Sequence, residues 1–510
     1  MTTLNPGARV LAPAPLYGPF LPRRGEPGWS AWPRRSWPVD PSAAAPGRFL
    51  GAAVVAALAG TAVWRPSVLS VGYLAAGAIV FGVVYGTSGR RPTRTAAVGV
   101  ALTLALLAVP GVFAAVWLGV LCIMAAWVTG WCTFVGGRTW TAISTAPLLP
   151  WVLPARVAGW VRRGVRSPRR RNGAPDVGRI ALVAALSAAV LIVFGALFAG
   201  ADAAFAHVLG SFAPTLQVDE AIARTGVFGI VAAFILAGGY LVRFPPTLDA
   251  LAPAPATPVR RWEWAVPLGV LDALFLAFVA VQATVLFGGH THVLETQGLT
   301  YAEYARQGFW QLLGVSALTL LVLAVVVRVA ARTTGSDRRT LRVLVGILCA
   351  ASIVVVVSAI HRMWLYQEAY GFSVLRLLVI TVEIWLGSVF LLVAVAGIRM
   401  DGRWLPRAVL VAGVLALLGL AALNPERLIA ERNIDRFEQT GDLDAGYLSS
   451  LSSDIDPALS RLPDEVRRCV MREDPTPRAW YLFNLSRARS DRPVDADFPE
   501  GCDDYYWEWD

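Results

Sequence analysis

RTAAVGVALTLALLAVPGVFAAVWLGVLCIMAAWVTGWCTFV, from Arg94 to Val135, runs 42 residues without a charge after its first. One helix of that length would rise about 63 Å, roughly twice the hydrocarbon thickness of a bilayer. Pro110–Gly111 interrupts the stretch near its middle, and that dipeptide favours a tight turn. The segment therefore reads as two crossings, and this choice sets the side on which every later segment emerges.

Working outward, apolar stretches long enough to cross recur at 49–64, 67–87, 94–109, 112–135, 179–200, 222–242, 264–287, 310–330, 341–360, 374–398 and 406–423. Composition agrees. The 510-residue chain is 56% hydrophobic and 16% charged, with a mean hydropathy of +0.56. A soluble domain carries about 25% charged residues, so the polar surface is too small for one of this size. The expected fold is all-α: a polytopic bundle of about eleven spans with a small helical domain after it.

Charge patterning tests that count. There is no Lys, so all 45 basic residues are Arg. Residues 424–510 hold 20 acids and 11 Arg, a net of −9, while the rest holds 15 acids and 34 Arg, a net of +19. With the N-terminus inside, 29 of those 34 Arg fall on the cytoplasmic side, and only Arg65, Arg224, Arg306, Arg362 and Arg376 fall outside. Merging 94–135 into one crossing would destroy the asymmetry, so the positive-inside pattern requires two. A nucleic-acid partner is excluded, because the Arg lie between apolar spans and not on one soluble face. The expected setting is the cell membrane, with a cytoplasmic N-terminus and an extracytoplasmic C-terminus.

Three regions follow. Residues 1–48, rich in Pro, Arg and Trp, read as a disordered cytoplasmic tail without an early apolar export signal. Residues 49–423 form the transmembrane domain. Within it, 140–178 is a basic cytoplasmic segment broken by Pro147, Pro150 and Pro154, either interfacial on an anionic leaflet or a solvated loop. Residues 424–510 form the acidic outer domain. Asn424–Pro425 caps a helix that Gly441 closes, with Ala430, Ile434 and Phe437 on one face. Leu443, Tyr447 and Leu451 mark a second helix, Asp456–Pro457 begins a third, and 478–489 is a further element. Outside the cytoplasm a disulfide between Cys469 and Cys502 is expected, whereas Cys122, Cys132 and Cys349 read as buried thiols. Asn484-Leu485-Ser486 fits a glycosylation sequon, which reads as coincidence.

Several strings carry a resemblance. FGALFAGADAAFA (Phe194 to Ala206), LDALFLAFVAVQATVLFGG (Leu271 to Gly289), YAEYARQGFWQLL (Tyr301 to Leu313), LYQEAYG (Leu365 to Gly371), NPERLIAERNIDRF (Asn424 to Phe437) and FNLSRAR (Phe483 to Arg489) are its substance. GGRTW (Gly136 to Trp140) adds a weaker match. On these strings the chain resembles a family of bacterial multipass membrane proteins, common in high-GC Gram-positive organisms, that is described as a domain of unknown function. The resemblance spans most of 49–490 and implies the architecture but no activity. In that family an Asn is common where Asp272 stands.

Two sets of polar residues are candidates for chemistry. All four His fall on the outer side, where His207, His290, His292, Glu295, Tyr301, Glu303, Tyr304, Arg306, His361, Arg362 and Glu368 could line a vestibule. His290 and His292 with Glu295 are zinc-compatible, but their spacing matches no zinc motif and no Cys joins them, so neither metal nor cofactor is expected. Thr300 and Glu303 also fit a capping box with interfacial Tyr301 and Tyr304, which needs no ligand. Within the spans stand Asp272, Gln282 and Glu383. A carboxylate at mid-membrane costs about 2.5–3.5 kcal/mol on insertion scales, so these should face the bundle or a wet cavity.

No nucleophile elbow, Walker loop, dinucleotide fingerprint, HExxH or kinase signature appears. Three readings remain open. The first is a non-enzymatic envelope scaffold or sensor whose partners are the bilayer and an envelope protein held through 424–510. The second is a secondary transporter using Asp272 and Glu383. The third is a membrane enzyme acting on an envelope or lipid-linked substrate.

Overall fold

In a computed structural model, the residues described are 37, 42–89, 91–166, 218–253, 256–287, 309–471, 479–490 and 492, with isolated helical positions at 187, 190, 191, 194 and 198. Among them the chain is helical, without a strand, apart from one isolated bridge between Val259 and Ala330.

The deciding stretch is two helices, α3 (Arg94–Val112) and α4 (Val116–Val135), following α1 (Gly47–Val63) and α2 (Gly72–Ser88). The break is not at Pro110–Gly111, which stay in the last turn of α3, but at the extended residues after it. Thr93 caps α3 by accepting the Ala96 N–H, and Gly136 closes α4 at φ 75°, a left-handed conformation that glycine adopts without strain. Gly99 lets the pair approach: a Cβ there would stand 2.2 Å from Thr133 Oγ1.

The basic segment folds as α5 (Trp140–Thr145), α6 (Leu149–Val152) and α7 (Pro154–Arg166). α7 buries Val157 and Trp160 and exposes Arg162 and Arg166, while Arg156 and Arg163 donate to Trp37 O and Ala43 O. Trp37 is also buried, donating its indole N–H to Phe244 O at 2.7 Å, so the expected tail is anchored to the bundle at that point. Around these residues α1, α2, α4 and α8 (Val218–Arg243) share one core, with Phe49, Trp131, Phe134, Trp160 and Tyr240 at its centre.

A second core joins α9 (Arg261–Phe287), α10 (Phe309–Val329), α11 (Gly335–Tyr370) and α12 (Val374–Arg399) through residues such as Trp264, Leu268, Leu348 and Phe390. α11 starts with a capping box between Thr334 and Asp337. The sequence ends this span at 360, but no Gly or Pro intervenes before Gly371 and the helix runs on for three more turns.

α13 (Leu405–Ala422) leads into α14 (Pro425–Thr440), α15 (Ala445–Ser449), α16 (Asp456–Leu459), α17 (Asp464–Val470) and α18 (Leu485–Ala488). Asn424 caps α14 and Gly441 closes it, as the sequence predicts. Ile429, Ala430, Ile434, Leu448, Ile455, Leu459 and Val466 are buried in the same cluster as Leu106, Val109 and Leu118 of the α3–α4 hairpin and Leu420 of α13. The C-terminal segment thus shares its core with the membrane helices.

Eight of these helices, α3, α4 and α8 to α13, are long and apolar enough to cross a membrane, and α1 and α2 are shorter apolar helices of 17 residues. This is a multipass membrane protein. The expected span at 179–200 lies largely outside the described residues. The helix ends sort into two groups. At one end, Arg243 reaches Thr87 O, Arg163 reaches Ala43 O, Arg407 reaches Gly137 O, and Arg261 reaches Ser336 and Thr340. The C-terminal segment occupies the other.

Candidate functional site

Two constellations of buried polar residues stand out among the described residues. The first lies where the C-terminal segment meets the α3–α4 turn. A helix leaves its first N–H groups and last C=O groups without intrahelical partners, and these must be satisfied when the turn is buried. Asp454 accepts from Ala114 N at 3.0 Å and Ala115 N at 3.0 Å, which caps the start of α4. Asn484 donates to Pro110 O at 2.9 Å and Phe113 O at 2.8 Å, which caps the end of α3. Glu426 accepts from Trp117 Nε1 at 2.8 Å through one oxygen, and from Ser452 N at 2.8 Å and Ser452 Oγ at 2.6 Å through the other. Burial pushes the Glu426 carboxyl above its usual range, against the lowering effect of those donors. Asp456 and Arg492 form an ion pair at 2.8 Å, with side chains 11% and 3% exposed, and tie the chain beyond α18 back onto α16. Together these groups clamp the C-terminal segment onto the hairpin.

The second constellation runs through α9, α11 and α12. Asp272, Gln282, Ser352, Ser358, Gln367 and Glu383 are all buried. Gln282 Oε1 accepts from Ser358 Oγ at 3.1 Å and from Arg362 at 3.0 Å, so a residue expected within a span meets one expected on the outer face. Both carboxylate oxygens of Asp272 and of Glu383, and both amide atoms of Gln367, lack a hydrogen-bond partner among the described residues. Asp272 and Glu383 do not form a pair. Asp272 lies beside Cys349 of α11, while Gly387 of α12 lies against Val356, which puts Glu383 level with Ile360 one turn further on. Cys349 and Ile360 are about 16 Å apart along a helix, so the two carboxylates stand at different depths.

Three members of the expected vestibule lie among the described residues, all on α11. On α11, Arg362 turns inward to Gln282, whereas His361 and Glu368 are exposed, and Glu368 accepts from Trp364 Nε1 at 2.8 Å. His207, His290, His292, Glu295, Tyr301, Glu303, Tyr304 and Arg306 lie outside the described residues. Among the described residues no group of three or more His, Cys, Asp or Glu is placed to hold a metal ion. Cys469 is buried on α17; Cys502, its expected partner, lies outside the described residues. Cys122 and Cys349 are buried free thiols, and Cys132 is a partly buried one.

The clamp residues Glu426, Asp454 and Asn484 are absent from the sequence-derived candidates. Glu426 and Asn484 do fall inside two of the family-like strings, NPERLIAERNIDRF and FNLSRAR, and Asn484 also opens the sequon, whereas Asp454 lies in none of them. The Asn484 sequon is buried, with its amide committed to α3.

A family model described as Domain of unknown function (DUF4153) matches residues 97–462. No curated protein and no solved structure matches the chain.

Proposed function

The chain belongs to the DUF4153 family, whose description carries no activity, and from that premise we propose a non-enzymatic envelope scaffold or sensor with its C-terminal segment as a fixed outward cap. In this reading the bundle has eleven spans, with the N-terminus in the cytoplasm and the arginine-bearing helix ends facing it. That orientation follows from the positive-inside pattern.

One observation carries the proposal: the cap is not tethered by a linker but held to the α3–α4 turn by Asp454, Asn484 and Glu426. Buried, satisfied polar networks specify one arrangement, so a partner pulling on the cap pulls on a transmembrane hairpin. A surface for that partner is the charged outer face of α14, where Arg432 and Glu438 are exposed.

A photo-reactive side chain placed at Arg432 or Glu438 in growing cells tests this. The expected result is a discrete adduct with another envelope protein. Charge reversal at the same positions should then fail to restore envelope integrity in a strain lacking the chain.

A second reading, secondary transport, is supported by Asp272 and Glu383, buried and without a hydrogen-bond partner among the described residues. The same complementation separates the two. Loss of function in Asp272→Asn with Glu383→Gln, with charge-reversed caps still working, would replace the scaffold by the transporter.

A further inference from the structure

A cavity of about 510 Å³ opens at the arginine-bearing end between α3, α4 and α13. Its wall is apolar, formed by Val98, Leu102, Leu410 and Val414, while Arg91, Arg94 and Arg407 line its mouth and no carboxylate does. Arg407 is fixed in place, donating to Gly137 O at 2.9 Å and to Gly136 O across the end of α4. Arg91 and Arg94 are exposed and have no ion-pair partner among the described residues. Asp249, which is close enough to Arg407 for their charges to interact, is occupied by Arg138 N at 2.8 Å, Thr139 N at 2.9 Å and Thr139 Oγ1 at 2.9 Å.

The two parts sit at the depths of the two parts of a lipid. α3 begins at Arg94 and α13 at Leu405, so the guanidinium groups stand at the helix ends, at headgroup level. Leu102 lies about 12 Å further along α3, at acyl-chain level. A purely apolar ligand would gain nothing from the arginines, and a soluble anion nothing from the wall. We propose that this cavity binds one anionic phospholipid, its phosphate between Arg91 and Arg94 and an acyl chain along α3 and α13. The inference does not depend on the reading of the cap.

Native mass spectrometry of the full chain released from detergent, titrated with phosphatidylglycerol or phosphatidylcholine of the same acyl chains, tests it. Phosphatidylglycerol should be retained at about thirtyfold lower concentration than phosphatidylcholine, the effect of two surface cations at about 1 kcal/mol each. Arg91→Gln with Arg94→Gln should abolish that preference. Val98→Trp, at an exposed position of the wall, should reduce retention of the lipid altogether. Arg338→Gln with Arg339→Gln, elsewhere at the same end, should change nothing, and millimolar inorganic phosphate should not displace the lipid. Equal retention of both lipids overturns the proposal, as does a preference that survives the Arg91 and Arg94 changes, or one that phosphate abolishes. Arg91 and Arg94 are exposed and without an ion-pair partner among the described residues, so their replacement should leave the fold intact; the Val98 variant gives an answer that does not depend on that.

Discussion

Replacing Asp454 by Ala leaves the Ala114 and Ala115 N–H groups beneath the C-terminal segment with no acceptor, at positions 1% exposed. A buried donor without a partner costs about 1–3 kcal/mol, and loss of an N-cap costs about 0.5–2 kcal/mol. The two descriptions overlap, so the expected loss is about 2–3 kcal/mol. Thermal unfolding of the purified protein, followed by tryptophan fluorescence, should show a lower Tm for Asp454→Ala and a smaller drop for Asp454→Asn, which keeps one acceptor. An unchanged Tm would mean that the turn is not held this way. Glu426 makes a prediction about pH. Burial raises its folded pKa above the unfolded value, so the folded state holds its proton more tightly. The stability this contributes is fully present below the ordinary carboxylate value of about 4.3 and is lost as pH rises through the raised value. Asp249 has the opposite sign. Its burial is outweighed by bonds from Arg138 and Thr139, and its carboxyl lies below its ordinary range, so its contribution is lost only as pH falls further. Glu426→Gln should therefore flatten the Tm profile just above the carboxylate range and leave the acid limb unchanged. A Glu426→Gln profile that parallels the wild type would contradict the assignment.

At the scale of elements, the α3–α4 hairpin shows what was legible and what was not. Length and the Pro-Gly pair announce two crossings, because no single helix of 42 residues fits a bilayer. The turn itself falls three residues later, and nothing local encodes that shift. Pro110 is tolerated in the last turn of α3, and the backbone groups beyond it are satisfied by Asp454 and Asn484, more than 330 residues away. Gln282 and Arg362 were likewise visible as polar residues but not as partners, since their meeting depends on the parallel register of α9 and α11. Helix contacts do make a testable claim at Gly239 of α8. A Cβ there would lie 2.2 Å from Phe49 Cζ, and the Phe49 ring already has Arg243 above it at 4.6 Å. Gly239→Ala should destabilise by about 1–3 kcal/mol through overpacking. Phe49→Leu in the same chain should recover part of this, because the shorter side chain vacates the space. Gly314→Ala, with nothing within 4 Å of its Cβ, serves as the control and should not lower Tm, since alanine is the better helix former. Purely additive effects at Gly239 and Phe49 would deny the contact.

For the whole molecule, composition and arginine spacing were enough to expect a helical membrane bundle, and the eight long apolar helices agree. They could not show that the bundle has two cores, or that the C-terminal segment joins α3, α4 and α13 in a third cluster, at the end away from the arginines. Those facts belong to contacts between distant segments, which neither periodicity nor charge records. The ends of the bundle sharpen the orientation argument. α7, with Arg162 and Arg166 exposed, packs near Ala43 through Arg163, while Ser450, exposed beside α15, sits with the clamp at the opposite end. Membrane insertion retains arginine-rich loops on the cytoplasmic side, so these two positions should differ in access from outside the cell. Single cysteines introduced by Arg162→Cys and Ser450→Cys, in chains otherwise free of reactive thiols, separate the possibilities. A membrane-impermeant maleimide applied to intact cells should modify the Ser450 variant at once, and the Arg162 variant only after the membrane is opened. If Arg162 reacts first, the bundle is inverted and the cap faces the cytoplasm, which removes an envelope partner from consideration. If both react from outside, the helix ends do not lie on opposite sides of a bilayer, and the eleven-span reading fails with them.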